Sequence, residues 1–261
     1  MPVRTPVTLR NHTISRVDGC AQGGFGLAEN GEISMSRWMA VFGLVAAVGN
    51  LLAQEASVKP GINDQFRKPD VKAFVERFEG ESREIFEKRE AISKASGVKP
   101  GMVVADIGAG TGLFTRMFSR EVGPKGQVLA VDIAKEFLEH IEKTSKDLGM
   151  VNIKTILGAD ASPRLPEGSA DLVFICDTYH HFEYPKTMLK DIRSALKPGG
   201  RMVVIDFIRI PGTSRAWILD HVRAGQDVVE AEISAAGFRK VSESKGILKE
   251  NYIVVFEKAD K

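Results

Sequence analysis

Between residues 60 and 95, apolar side chains return every three or four positions, as Val71, Phe74, Val75 and Phe78 and then Ile85, Phe86 and Ile92, with charged residues between them. That spacing predicts amphipathic helices. Beyond the turn signal Lys99-Pro100-Gly101 the rhythm changes to short β-branched runs separated by helical stretches. Strands are predicted at residues 102–108, 127–133, 152–158, 171–177 and 201–208, and helices at 112–122, 134–149 and 184–200, the last stopped by Pro198-Gly199-Gly200. Alternating units of this length build a parallel sheet with right-handed crossovers and helices on both faces. A helix at 228–236 follows, then strands at 238–244 and 251–258, close enough to pair as a hairpin through 245–250. The expected architecture is a parallel α/β sheet that finishes in a hairpin.

The segment before residue 54 follows another pattern. Arg37 precedes an almost uninterrupted apolar run from Trp38 to Ala53, broken by glycines and Asn50. The run falls short of the roughly 20 residues that a membrane-spanning helix needs. With small Ala53 before polar Gln54 it matches a secretory signal peptide cut after Ala53, and the match improves if translation starts at Met35. Residues 1–34 are then an artefact or an unstructured extension. The predicted organisation is an N-terminal extension over 1–53 carrying a signal peptide or membrane tether at 35–53, a helical lead-in over 54–95, and the α/β domain over 96–261. An exported, periplasmic or tethered protein is expected, the tether running through residues 38–53. The competing reading is a helix of a cytoplasmic protein.

Composition narrows the function. With 261 residues, 43% of them hydrophobic and 27% charged, the chain has the profile of a soluble globular protein and enough length for a full core. A net charge of +2 gives no field to hold a polyanion, so no nucleic-acid partner is expected. Two cysteines, Cys20 and Cys176, exclude a disulfide scaffold or a Cys-rich zinc site.

The chemistry gathers at the first crossover, VADIGAGTG. Asp106 ends the first strand, and Gly108, Gly110 and Gly112 fill the turn before the next helix, where backbone approaches a ligand closely and free N–H groups face an anion. The spacing is not the G-x-G-x-x-G of dinucleotide enzymes, because the third glycine comes one residue early. Asp106 would repel a pyrophosphate and pair with an ammonium, so a ligand with both an ammonium and a carboxylate suits the turn. Asp132 ends the second strand, where an acid can take both ribose hydroxyls of an adenosine. Asp160, with Ala161 beside it, follows the third and is placed to accept from an adenine amino group. Any one of these acids alone reads first as a helix N-cap; the three together with the glycine turn read as a ligand site.

The run DIGAGTG, together with VDI, GAD, DLVFICD and LKPGG, resembles the class I S-adenosylmethionine-dependent methyltransferases over about residues 93–258. The resemblance implies a Rossmann-like, three-layer α/β/α fold with a seven-stranded, mostly parallel sheet and an antiparallel last strand. It implies S-adenosyl-L-methionine as cofactor, with Asp106 and the glycines on the methionine part, Asp132 on the ribose and Asp160 on the adenine. Ile133, Ala161 and Asp177, within the matching motifs, are expected beside the same cofactor. It also puts the acceptor pocket after the fourth strand, at Cys176-Asp177-Thr178-Tyr179-His180-His181-Phe182.

His180 and His181 are the candidates for proton abstraction or substrate anchoring, since imidazole titrates near neutral pH; capping the next helix is the alternative. Neighbouring side chains are expected to point apart, which argues against a shared metal, and no metal ligand is assigned. Trp217, His221 and Arg223 read as part of a substrate lid or as solvated surface, and Phe74, Phe78 and Phe86 as a cap over the cofactor or plain core. The expected activity is methyl transfer to a small-molecule acceptor by in-line displacement. The LKPGG-type core also resembles quinone-biosynthesis C-methyltransferases, which admits a quinone or phenolic acceptor. The alternatives are a non-catalytic module that binds the cofactor, and a nicotinamide-dependent oxidoreductase.

Overall fold

The computed structural model describes residues 55–80 and 83–259. Seven strands form one sheet in the order β3-β2-β1-β4-β5-β7-β6. They are β1 (Val103–Ile107), β2 (Gln127–Asp132), β3 (Ile153–Leu157), β4 (Ala170–Cys176), β5 (Leu196–Phe207), β6 (Phe238–Glu243) and β7 (Asn251–Lys258). The first five strands run parallel, and β7 pairs antiparallel with both β5 and β6, so the predicted hairpin closes one edge of the sheet. The lead-in forms α1 (Val71–Phe78), α2 (Glu84–Glu87) and α3 (Arg89–Ser96). The crossovers carry α4 (Leu113–Val122), α5 (Lys135–Asp147), α6 (Pro185–Ala195), α7 (Ala216–His221) and α8 (Gln226–Ala235).

The central strands are apolar on both faces because both are covered. Val104, Leu172, Phe174, Val203 and Ile205 pack with Ile92 of α3 and with Phe114 and Phe118 of α4. The alternate positions Ala105, Val173, Ile175, Met202 and Val204 pack with Leu189 and Ile192 of α6 and Ile233 of α8. One predicted boundary moves. The helix expected over 184–200 ends at Ala195, and Leu196 already pairs with Ala170, so the LKPGG segment enters β5 through a bulge. A Cβ on Gly200 would lie 3.0 Å from the Lys197 carbonyl oxygen, which is why a glycine passes there.

The chain ahead of α1 is strapped over the loop after β4. Glu55 accepts the N–H groups of Lys186 and Thr187 at the start of α6, satisfying two free donors of that helix end from 131 and 132 residues away. Ser57 Oγ donates to Glu183, and Val58 N–H donates to the Glu183 carbonyl. The apolar run over 38–53 lies outside the described residues; among those, no helix is long and apolar enough to cross a membrane.

Phe174 is fully buried and meets the rings of Phe114 and Phe118 at 4.8 and 4.9 Å. Phe174→Ala is expected to lower unfolding free energy by about 3–5 kcal/mol in urea titration, through lost burial and the cavity left behind.

Candidate active site

β1 lies between β2 and β4, the point at which the strand order reverses, and a crevice opens there beyond the carboxyl ends of the strands. The glycine turn after β1 forms its floor. Gly108 has φ +73°, and a Cβ there would lie 2.3 Å from Thr178 Cγ2, so only glycine lets the turn and the loop after β4 approach this closely. Gly110 N–H donates to Asp132 Oδ2 at 2.9 Å and Ala134 N–H to Asp132 Oδ1 at 2.9 Å. Asp106 accepts from Thr115 Oγ1 at 2.6 Å. Burial pushes the Asp106 and Asp132 carboxyls each up to about 6, against the hydrogen bonds that favour their charged forms.

Asp160 follows β3; its Oδ2 accepts from Arg67 Nη2 at 2.8 Å, while its Oδ1 is buried without a partner. Asp177 follows β4 with φ +49°, forms an ion pair with Arg83 and accepts from Asn251 Nδ2 at 2.6 Å. Burial raises its carboxyl above the usual range, Arg83 opposing. The crevice measures about 1070 Å³ including its open mouth. Asp106, Gly108, Gly110, Asp132, Ile133, Asp160 and Asp177 all line it. Gly112 and Ala161 do not. Gly112 caps α4 and packs on Ile141, and Ala159 and Ser162 border the crevice in place of Ala161.

A second cavity adjoins the first. It is bordered by His180, His181 and His221, by Phe207 and Trp217, and by Arg83, Asp177 and Asn251. The two histidines after β4 sit in a 3₁₀ turn, Tyr179–His181, and their rings are 4.3 Å apart, so the expectation that neighbouring side chains point apart fails. His180 is buried, its Nδ1 2.7 Å from Asp206 Oδ1, and its backbone N–H donates to Asp206 Oδ2 at 2.9 Å. His181 Nδ1 is buried without a partner, and its Nε2 lies 3.3 Å from His221 Nε2. Burial, and secondarily the neighbouring imidazoles, hold the His181 ring down to about 2 and, with burial again leading, His221 to about 4. Phe66 sets its edge against the His181 ring at 4.9 Å.

Of the expected lid residues, Trp217 and His221 border this cavity, and Arg223 does not. Its guanidinium grips both oxygens of Glu232 at 2.8 and 2.7 Å and lies over the Tyr179 ring. Phe78 borders both cavities, Phe74 packs on Phe137 of α5, and Phe86 stacks under Arg89. Cys176 is free, and burial pushes its thiol well above the usual value, which leaves it without nucleophilic character.

Sequence reasoning missed Arg83, Asn251 and Asp206. For Asp206 a signal existed: it ends a strand in VVIDF as Asp132 does in LAVDI. Arg83 and Asn251 lie 94 and 74 residues from Asp177; the pairing of β7 with β5 brings Asn251 to this end of the sheet, and the lead-in ahead of α2 brings Arg83.

A family model described as a methyltransferase domain matches residues 104–200. The ubiquinone/menaquinone biosynthesis C-methyltransferase UbiE of Shewanella sp. is 34% identical over 123 residues, covering 47% of this chain and 49% of that protein. The protein of the same name from Pseudomonas savastanoi is 38% identical over 121 residues, covering 46% and 47%. The chain thus spans about half the length of the curated relatives it matches. A crystal structure of a SAM-dependent methyltransferase from Aquifex aeolicus superposes with a TM-score of 0.64 at 25% identity, covering 72% of this chain and 98% of that one. The strand order, the reversed β7 and the acid-lined crevice at the β1–β4 switch point agree with these likenesses: residues 104–200 match a methyltransferase domain, and the fold is that of the class I type, which uses S-adenosyl-L-methionine.

Proposed function

We propose that the chain moves the methyl group of S-adenosylmethionine to a small-molecule acceptor held in the second cavity. The observation that carries this reading is the shared wall: Phe66, Phe78, Arg83, Ile85, Asp177 and His181 border both cavities, so molecules in the two would meet across them. The cofactor supplies a methyl group on a sulfonium sulfur, open to in-line displacement. The chain's own residues hold, align and exclude water. In this reading Asp106 and the Gly108–Gly110 turn take the amino-acid end, Asp132 the ribose hydroxyls, and Asp160 the adenine amino group, which would supply the donor that Oδ1 lacks. Ile133 gives the base an apolar wall, and Asp177, fixed by Arg83 and Asn251, borders the reacting end.

The two histidines take different parts. Asp206 pins His180 through Nδ1, which orients the ring and leaves Nε2 for an acceptor proton. His181, held near 2, stays neutral at physiological pH and is too weak a base to remove a proton, so it lines and orients. Phe66, Phe78, Phe207 and Trp217 give the second cavity aromatic walls, which favours a flat phenolic or quinone-type acceptor. The relatives named for ubiquinone and menaquinone biosynthesis support the same choice.

Calorimetry with S-adenosylhomocysteine is expected to show at least about tenfold weaker binding to Asp132→Ala than to the wild type, from loss of charge-assisted hydrogen bonds worth roughly 1.5–3 kcal/mol. Unchanged affinity removes Asp132 from the site. Incubation with methyl-labelled cofactor and a deproteinised cell extract is expected to label the low-mass fraction. Label confined to added protein or nucleic acid overturns the small-molecule reading.

The crevice acids also set a pH dependence. Their folded values, near 6, exceed the unfolded value of about 4, so in the free protein their contribution to stability is complete below about pH 4 and lost as pH rises through 6. A ligand that needs the ionised acids works the other way: its affinity is full above pH 6 and falls by up to about tenfold per pH unit and per group below it. The thermal shift produced by S-adenosylhomocysteine should therefore grow between pH 5 and 7 in the wild type and grow less in Asp132→Asn.

We further read residues 35–53 as an export or tether signal. A native N-terminus at Gln54 by mass spectrometry supports cleavage, and residues 1–34 intact in a soluble extract count against it.

A further inference from the structure

We propose that His180, His181 and His221 bind one divalent first-row transition ion of the zinc class, with an open coordination position facing the second cavity. One ring nitrogen from each lies within 4.8 Å of the others. His181 Nε2 and His221 Nε2 are 3.3 Å apart, about the separation that two nitrogens show when each sits 2.0–2.1 Å from one tetrahedral zinc. The two remaining pairs are also close: the His180 ring centroid lies 4.3 Å from that of His181 and 5.1 Å from that of His221.

Three features beyond proximity favour an ion. The Nδ1 contact of His180 with Asp206 is the carboxylate–histidine pair that orients a metal ligand and strengthens it as a donor. A neutral imidazole set suits zinc, copper, iron or nickel and disfavours magnesium or calcium. The charge around the cluster is balanced: Arg77, Arg83, Arg215 and Lys249 are matched by Glu84, Glu87, Asp177 and Glu250, and Lys59, whose ammonium sits on the carbonyls of Asp220 and His221, is offset by Asp206 behind His180. Among the described residues no fourth histidine, cysteine, aspartate or glutamate joins the cluster, so a ligand from the cavity is free to complete the ion's shell, as in catalytic rather than structural sites.

Binding of the ion stands on the imidazoles alone. Its use rests on the reading above: an acceptor hydroxyl or thiol would bind the ion as its anion, its proton passing to solvent, with His180 a ligand in place of a base.

The test uses the full chain without an oligohistidine tag, stripped with chelator and titrated with Co²⁺ at neutral pH. The expected result is the intense visible absorption of four-coordinate Co²⁺, saturating at one ion per chain and displaced by Zn²⁺. His221→Gln and His181→Gln should lose that absorption at the same Co²⁺ concentration, and Asp206→Asn should weaken binding by about 10–100-fold. Circular dichroism of the metal-free variants, matching the wild type, separates loss of a ligand from loss of the fold. Only the faint spectrum of hydrated Co²⁺ with wild-type protein, or variants that bind as the wild type does, overturns the site. S-adenosylhomocysteine calorimetry on the same metal-free and loaded samples keeps the two readings apart. Ion binding without nucleoside binding leaves the metal site standing and removes the methyltransferase reading, and nucleoside binding without ion binding does the reverse.

Discussion

The hydrogen bond from Gly110 N–H to the Asp132 carboxylate ties the turn after β1 to the end of β2, and the geometry of the crevice depends on that tie. Sheet hydrogen bonds stop at Ile107 and Asp132, so beyond them nothing in the ladder fixes how the turn sits against the next strand. The Gly108 and Ala109 N–H groups, both donating to the Val131 carbonyl, and the Asp132 carboxylate take over where the ladder ends. A carboxylate is suited to this place because it accepts more than one bond at once. Asp132 takes Gly110 on one oxygen and Ala134 on the other and still has lone pairs facing the crevice.

Burial of acids at strand ends works against folding and is tolerated because each acid has a fixed partner. Asp106 has Thr115, Asp160 has Arg67 and Asp177 has Arg83. The partners differ in kind. Burial holds Asp106 near 6 with the single neutral donor of Thr115 opposing, so a cationic ligand would favour its ionised form. Asp177 faces a guanidinium and an amide, so its place is secured before any ligand arrives. The crevice thus combines acids left open to a ligand with one that Arg83 and Asn251 already hold in place.

Most of the sheet was legible because a strand buried on both faces and a helix buried on one leave different periods, and the turn after β1 was legible because positive φ demands glycine at Gly108. The LKPGG segment was misassigned because a helix stop and a strand bulge call for the same residues; only the pairing of Leu196 with Ala170 distinguishes them. The glycine pattern alone marks Gly112 as a ligand contact beside Gly108 and Gly110, whereas the need it meets is a positive φ at the start of α4 and room for Ile141. Arg223 looked free for an anion because Glu232 lies nine residues on, in α8, and sequence does not show that the turn between α7 and α8 folds the two together.

The acceptor side was least legible, for a reason that lies in the turn itself. Adjacent side chains usually point in different directions, as they do most clearly along a strand, and that expectation separates His180 from His181. A 3₁₀ turn removes that alternation, and Asp206 holds the turn by accepting both the backbone N–H and the ring of His180. The third imidazole arrives by a separate route: Lys59, on the N-terminal strap, donates to the carbonyls of Asp220 and His221 at 2.9 and 2.7 Å, and Asn63 on the same strap donates to the His181 carbonyl at 3.1 Å. The strap therefore ties α7 to the loop after β4. His181 and His221, 40 residues apart in sequence, meet because a segment more than 100 residues upstream fastens both of their carriers.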